Sequence, residues 1–571
     1  MANPATSDRD LASINEARTL AGRAKKTQAT LAEFSQEQID AIVDAMAAAA
    51  TKHAEASAQA AVDETGYGVV ADKVQKNLFA SQEIHRFIQP LKTVGVLRRD
   101  EARKVVEIAE PFGVVAAVIP STNPTSTTIY KALIAIKARC PIVLSPHPAA
   151  TRCITHMANI LIEASTKAGA PEGAIGVMQD VTLKGTQELM RHPDVAIILA
   201  TGGMGLVRSA YSAGKPAYGV GPGNAPAYIE RSADVPKAVR DIMIGKTFDN
   251  GVLCSSENSV ITDEAVVDQV RREFRANGAY FLTANEIDAV GKILVSPQRL
   301  PNPKLVGKSA AIIAQAASVD VPLDTRVLIA ELTGVGRDYP LSIEKLCPVL
   351  SFYVVQDWQE GCERCKQILR YGGMGHTMSI HSKNEEVILE FGLKKPAFRI
   401  VVNTPTTHGS IGLTTGLTPA MTLGCGGYGG NITSDNISPL HLLNIKRLAY
   451  ELKPAKPHLA LRTTKPQMLP RVHPSANSAG LAAGTLKRQV DQFLSTRGFH
   501  AEISPHSGPG NPPPVVTQDE SAVASFVCED DVRQAHQDGR HIRIDDDTIL
   551  TPSARDYGEA HDIFIHSSWR D

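Results

Sequence analysis

The sequence predicts an α/β protein: a doubly wound, Rossmann-type domain, a second α/β domain, and a C-terminal linker with a small appendage. Three observations predict it. From about residue 104 to 245, the short apolar runs "GVVAAVIP", "PIVLSPHP", "VAIILATGG" and "APAYIE" alternate with helical stretches such as "TSTTIYKALIAIKAR" and "ATRCITHMANILIEASTKAG". Strands that are apolar along their whole length and separated by helices belong to a parallel sheet covered on both faces, with ligands gathered at its carboxyl ends. A second series, "NSVIT", "AAIIAQ", "VLSFYVV", "MSIHS" and "RIVVNT", lies between Thr247 and about Gly430 and predicts another sheet. Beyond Leu452 the composition turns basic and proline-rich, which favours an extended linker.

Taken in order, residues from about 9 to 90 are helical, with few breakers in "EQIDAIVDAMAAAATKHAEASAQAAV". "KVVEIAEPFGVVAAVIP" switches to β-branched runs. The two sheets follow, and "PLHLLNIKRLAYEL" is expected to close the folded part as a helix. In the tail, "LKRQVDQFLSTRGF" places Leu486, Val490, Phe493 and Leu494 on one helical face. A second linker, "SPHSGPGNPPPVV", leads to a small ordered segment. At 571 residues the chain exceeds what one ordinary core serves. Its expected divisions are 1–245 with a return segment 431–454, 246–430, linkers flanking a helix over 455–519, and an appendage over 520–571.

A formal net charge of −1 offers no basic face for nucleic acid or an anionic membrane. No run of ~18 apolar residues is present. The start "MANPATSDRDLASINEAR" lacks the order of a secretory signal, so a cytoplasmic protein is expected. The eight cysteines are then thiols. "CERC" at Cys362 to Cys365 has no second pair at zinc-site spacing; it reads as two helical thiols, and no metal is expected.

The chemistry centres on "FDNGVLCSSENSVI". Cys254 follows Asn250 and Gly251 at a loop-to-strand junction, where backbone N–H groups are available, and a thiol there is either a nucleophile or a small structural residue. In "VIPSTNPTSTTIYKAL", Asn123 stands between a strand and a helix; its amide either serves an oxyanion or belongs to the helix cap with Ser121 and Thr125. "LATGGMGLVRSAY" sets Gly202, Gly203 and Gly205 between a strand and a helix, a turn that lets a dinucleotide approach the backbone, although the spacing is not GxGxxG.

Together these segments resemble the coenzyme A-acylating branch of the aldehyde dehydrogenase superfamily. The matching stretches include "ETGYG", "PFGVVAAVIPSTNPTST", "IVLSPHP", "GVGPGN", "KTFDNGVLCSSENSVI", "EKLCPVLSFY", "YGGMGHT" and "TLGCGGYGGN", in order over about residues 15 to 452. The resemblance implies an NAD-dependent oxidoreductase with coenzyme A as co-substrate and the first domain as the NAD-binding one. It makes Cys254 the nucleophile and assigns the oxyanion to Asn123 and the Cys254 N–H. It makes Ser145, His147, Thr201, Gly202, Gly203, Gly221, Gly223 and Glu344 cofactor-binding, Glu344 through the nicotinamide ribose unless it is only a capping or surface acid. Val220 stands where hydrolytic relatives carry a water-activating glutamate, so the acyl group is expected to leave on coenzyme A. Ser145 stands where those relatives have a lysine, with His147 and Pro148 part of the same change, which leaves NAD against NADP open. His376 is either a site residue assisting acyl transfer or a histidine satisfied within a turn. His408 is expected as a solvated loop residue, with a pocket role as the alternative.

The tail resembles encapsulation peptides of bacterial microcompartments, with residues 478–499 as the shell-binding segment; docking on its own subunit is the alternative. The terminal segment also resembles part of some amine-utilisation microcompartment proteins, and "DDD" at Asp545 to Asp547 reads as an exposed turn. The resemblance further implies a homo-oligomer, dimer or tetramer, with "VLRRDEARKVVEIAEP" as an exchanged hairpin. Its substrates span acetaldehyde, propionaldehyde, sulfoacetaldehyde and succinate semialdehyde. No arginine cluster in the matched stretches calls for an anion, which favours a short neutral aldehyde. A retired scaffold and a hydrolytic dehydrogenase are the competing readings; the retained Cys254, Asn123 and Glu344 argue against the first and Val220 against the second.

Overall fold

Alanine-rich amphipathic sequence makes the start of the chain helical, with Gln36–Lys52 opened by a Ser35/Gln38 capping box and Val70–Leu78 continuing through a π turn into Ile84–Ile88. In this computed structural model residues 8–297, 299–455, 483–495, 523–545 and 548–566 are described. The chain divides into two units, Met1–Ala455 and Lys456–Asp571.

Within the first unit, strands β1 (Gly95–Asp100) and β2 (Val105–Pro111) form an antiparallel hairpin. Then come β3 (Val114–Ile119), β4 (Ile142–Pro146), β5 (Ile175–Val177), β6 (Val195–Thr201) and β7 (Ala217–Val220), all parallel, in the order β5-β4-β3-β6-β7. Alternate residues of β3 enter two cores: Val115, Ala117 and Ile119 on one face, Val114, Ala116 and Val118 on the other. That explains its uninterrupted apolar run. The strand order reverses between β3 and β6, which opens a crevice beyond their carboxyl ends.

The second sheet is built from β8 (Ala225–Ile229), β9 (Glu257–Asp263), β10 (Ala279–Phe281), β11 (Val327–Glu331), β12 (Val349–Val355), β13 (Gly375–His381) and β14 (Ala397–Val402). Its order is β10-β11-β12-β9-β8-β13-β14, again all parallel. Three expectations are corrected here. "APAYIE", expected in the first sheet, forms β8 and pairs with β9 and β13, because the turn after β7 carries the chain across; the second sheet therefore begins before residue 246. "AAIIAQ" is the helix Ala310–Ala316, capped by Ser309, since a short apolar run fits either state. "PLHLLNIKRLAYEL" is a 3-10 turn, Pro439–Leu442, followed by strand β15 (Leu443–Ala449), which completes the sheet β1-β2-β15 by antiparallel pairing with β2. The "CERC" thiols do lie buried in a helix, Trp358–Tyr371.

In the second unit, Ala483–Ser495 is helical with Val490 and Phe493 exposed; the side chains of Leu486 and Leu494, and the linkers at 456–482 and 496–522, lie outside the described residues. The terminal segment contains two successive strand–helix–strand passages. Strands β16 (Phe526–Val527) and β17 (Ile542–Ile544) flank the helix Glu529–Gln537; β18 (Ile549–Leu550) and β19 (Phe564–His566) flank Pro552–Ala560. Each strand pairs in parallel with its counterpart, β16 with β18 and β17 with β19, around Val527, Val532, Ala535, Ile544, Ala554 and Ile563. Asp545 lies in the exposed turn before β18, where Thr548 Oγ1 accepts its N–H at 2.9 Å; Asp546 and Asp547 lie outside the described residues. Among the described residues no helix is long and apolar enough to cross a membrane.

Candidate active site

Cys254 lies on the loop between the 3-10 turn Phe248–Gly251 and β9. Asp249, Asn250 and Gly251 have φ of 51°, 54° and 71°, three left-handed residues in succession. Only the last is at ease there, so the surroundings must hold the other two. The Asp249 carboxylate is fully buried; it accepts from Val69 N at 2.7 Å, from Lys73 Nζ at 3.0 Å and from Lys76 Nζ. Its own N–H donates to Asp72 Oδ2 at 2.7 Å, and Asn250 Nδ2 donates to the Gly307 carbonyl at 2.9 Å. The loop thus presents a half-buried thiol on an over-determined backbone.

This thiol opens onto a cavity of about 340 Å³ at the carboxyl ends of β3, β6 and β7, where the reversal of strand order leaves a crevice. Of the residues singled out in the sequence, Asn123, His147, Thr201, Gly202, Gly203, Gly221, Cys254 and Glu344 line it together. Val220 also faces it, an apolar group with no base to offer. Three others do not line it. Ser145, at the end of β4, is buried with its hydroxyl 2.8 Å from Thr186 Oγ1. Gly223 lies behind the thiol: a Cβ there would stand 2.0 Å from the Cys254 carbonyl oxygen, so only glycine lets the turn after β7 pass. His376 is buried at the start of β13 beside that turn, its own N–H donating to the Gly373 carbonyl at 2.9 Å.

Asn123 occupies the N-cap position of the helix Pro124–Lys137, but its side chain makes no capping bond. Its Oδ1 accepts instead from Lys76 Nζ at 2.6 Å, while Nδ2 donates to Thr122 Oγ1 at 3.1 Å. Glu344 is no surface acid. It is buried, and its Oε1 accepts from Gly223 N at 2.8 Å. Burial pushes its carboxyl up to about 8, against the pull of the Gly223 N–H and of Lys246 and Lys345. Burial, then Glu344 and Cys425, push the Cys254 thiol up to about 12, with Arg399 opposing. His376 is driven down to about 3 by burial and by Arg399, so its ring is neutral. Its Nδ1 lies 2.9 Å from Thr377 Oγ1 and its Nε2 has no partner. His408 is buried in the short helix Thr406–Ser410 against Phe248, which corrects its reading as a solvated loop residue.

Two further groups bear on the site and escaped the sequence reading. Lys76 reaches Asn123 from a helix that, read alone, has lysines at ordinary helical spacing. Arg399 is buried in β14 while Phe398 and Val402 are exposed, the reverse of what apolar-in alternation predicts from "AFRIVV". Its Nε donates to Thr377 Oγ1, Nη1 to the Ser434 carbonyl and Asn436 Oδ1, and Nη2 to the Gly375 and Gly424 carbonyls. All five guanidinium N–H groups therefore have protein acceptors.

A half-buried thiol, a side-chain amide and an uncapped helix N-terminus share one crevice. The bifunctional aldehyde-alcohol dehydrogenase AdhE of Escherichia coli (strain K12) is 42% identical over 441 residues, 76% of this chain and 49% of that protein. The chain thus spans about half the length of the curated bifunctional relatives it matches. Among solved structures, an acetylating aldehyde dehydrogenase from Geobacillus thermoglucosidasius is 49% identical with a TM-score of 0.78, covering 79% of this chain and 99% of that one. A propionaldehyde dehydrogenase from the Clostridium phytofermentans fucose utilisation bacterial microcompartment is 27% identical with a TM-score of 0.69, covering 76% and 97%. Residues 4–289, half of the chain, match the aldehyde dehydrogenase family, and with this fold and this cavity the chain belongs to that family.

Proposed function

We propose that the protein oxidises a short, neutral aldehyde to its acyl-CoA, with NAD as hydride acceptor and coenzyme A as acyl acceptor. The observation that carries this reading is the shared cavity of Cys254 and Asn123, walled by Val220 where a water-activating base would be needed for hydrolysis. Cys254 first gives its proton to solvent and the thiolate Sγ attacks the carbonyl carbon; the new oxyanion is met by the Asn123 amide and the Cys254 N–H, donors most useful where water is excluded. Bound in this cavity, NAD would supply the acceptor for the hydride of this carbon, leaving the acyl group on Cys254 as a thioester. The thiol of coenzyme A then displaces Cys254 from the acyl carbon. The incoming thiol gives up its proton to solvent as it attacks; His376, which does not line the cavity and is held neutral by burial, is too weak a base to take it.

The residues present fit a dinucleotide. Thr201 Oγ1 is buried without a partner, Gly203 caps the helix Met204–Tyr211 with no side chain, and a Cβ on Gly203 or Gly205 would meet nothing within 4 Å. Thr201, Gly202, Gly203 and Gly221 would hold the phosphates, with His147 and Glu344 lining the same cavity. A neutral aldehyde is supported by Arg399, whose donors are already taken; a carboxylate or sulfonate substrate would find none free on it.

The acetylating solved relative supports the acylating step, and the microcompartment relative, with the amphipathic helix in the tail, supports a cargo enzyme whose residues 478–499 bind a shell. A homo-oligomer exchanging the β1–β2 hairpin completes the proposal. NADH formation from propionaldehyde and acetaldehyde, with and without coenzyme A, tests it. Turnover that depends on coenzyme A and yields acyl-CoA is expected, and Cys254→Ala should lower it by more than roughly a thousandfold. Equal rates without coenzyme A, with free acid formed, would overturn the acylating reading.

A further inference from the structure

The buried cluster on the helix Val70–Leu78 lies outside the cavity lining, and the reaction as drawn gives it no task. Lys73 and Lys76 are 2% and 3% exposed and converge on the fully buried Asp249. Two buried ammonium groups are an expensive way to fill space; apolar residues of similar size would pack there at least as well. What the two lysines do beyond meeting Asp249 is specific. Lys73 Nζ donates to the Thr122 carbonyl at 3.1 Å, and Lys76 Nζ donates to Asn123 Oδ1 at 2.6 Å.

A carboxamide has two orientations of nearly equal shape; here Nδ2 faces Thr122 Oγ1, on the cavity wall, and Oδ1 faces Lys76. An ammonium donates and cannot accept, so it selects the orientation that turns the carbonyl oxygen to itself. We infer that Lys76 is a positioning residue that sets the Asn123 amide as an oxyanion donor, and that Asp249, shared between Lys76 and the strained backbone before Cys254, ties this donor to the loop that carries the nucleophile. Lys73 and Asp72 complete the tie, the first on the carbonyl preceding Asn123 and the second on the N–H of Asp249. The inference rests on the proposed role of Asn123 and not on which aldehyde is oxidised.

Two reagents separate orientation from damage without any cofactor. Acylation of Cys254 by p-nitrophenyl acetate passes through a tetrahedral oxyanion and releases p-nitrophenolate; alkylation by iodoacetamide displaces iodide at carbon and forms none. In the full-length protein, with Cys254→Ser as the blank, Asn123→Ala should slow the acylation burst roughly a hundredfold. Lys76→Met should slow it at least tenfold while alkylation stays within about twofold, and Lys76→Gln, which keeps a donor, should recover part of the loss. The double variant Lys76→Met/Asn123→Ala should be no slower than Asn123→Ala alone, since the two act as one device. Losses that multiply in the double variant would overturn the inference, as would parallel slowing of acylation and alkylation, which is the mark of a packing role. If Lys76→Met fails to fold, Lys76→Gln paired with Asn123→Ala separates the same two outcomes. Normal acylation in Asn123→Ala would overturn the oxyanion role itself. Fast acylation without NADH formation from any aldehyde would overturn the proposed function and leave this inference standing.

Discussion

The Cys254 thiol is protonated at neutral pH, because burial and the adjoining Glu344 push it up to about 12. A thiol is nucleophilic only as thiolate, so iodoacetamide labelling of Cys254, followed by peptide mass, should rise about tenfold per pH unit from pH 7 to 9.5 without levelling. A plateau below pH 9 would mean that the fold already activates the thiol. Glu344 is likewise an acid held protonated by burial. Its carboxyl is raised to about 8, so between the ordinary carboxylate range and that value the folded chain keeps a proton that the unfolded chain loses, and stability falls as pH rises through this window. Glu344→Gln cannot ionise; its stability relative to the parent should therefore grow from pH 5 to pH 8, by on the order of 2 kcal/mol, read from unfolding midpoints. Asn123 and the glycine turns were legible because each follows a strand's carboxyl end within a local motif, and Cys254 because it stands in a loop just ahead of a strand. Lys76 was not, since it meets Asn123 across 47 residues and nothing local distinguishes it from a solvated lysine.

Between β7 and β8 the turn "GPGN" does two things: it carries the chain from the first sheet to the second and passes directly behind Cys254. Gly223→Ala would drive a Cβ to within 2.0 Å of the Cys254 carbonyl oxygen, a backbone atom that can retreat only by moving the loop. Acyl-CoA formation should fall at least roughly a hundredfold, while far-UV circular dichroism stays near that of the parent; turnover close to the parent's would show that the loop yields. Strands β3, β4 and β6 were readable as largely apolar runs, whereas β5 and β7, three and four residues long, are too short to stand out. Which strands pair was not readable. "APAYIE" has the same composition whether it pairs with β7's sheet or with β9 and β13, and only the path of the turn decides. β15 reads as a helix because its leucines fall at helical spacing, and antiparallel pairing with β2 over seven residues overrides that periodicity. Ala310–Ala316 fails the other way: its cap, Ser309, was the signal that a strand reading passes over.

At the scale of the chain, the first unit holds everything the proposed chemistry uses. Both parallel sheets, the β1-β2-β15 sheet and every lining residue of the cavity lie within Met1–Ala455, and the acetylating relative of known structure is covered almost end to end by 79% of this chain. The second unit has its own small core around Val527 and Ile544. A chain cut after Ala455 should therefore keep its coenzyme A-dependent turnover within about twofold and its unfolding midpoint within about 2 °C, since no core residue of the first unit is removed. What the cut should abolish is association. The helix Ala483–Ser495 exposes Val490 and Phe493, and a short amphipathic helix gains stability mainly by laying that face on a partner. Fused to a fluorescent protein, residues 456–522 should then gather at microcompartment shells, and Val490→Asp with Phe493→Asp should disperse them. Diffuse fluorescence from the unmodified fusion, or a large loss of turnover on truncation, would assign the tail to the catalytic unit instead.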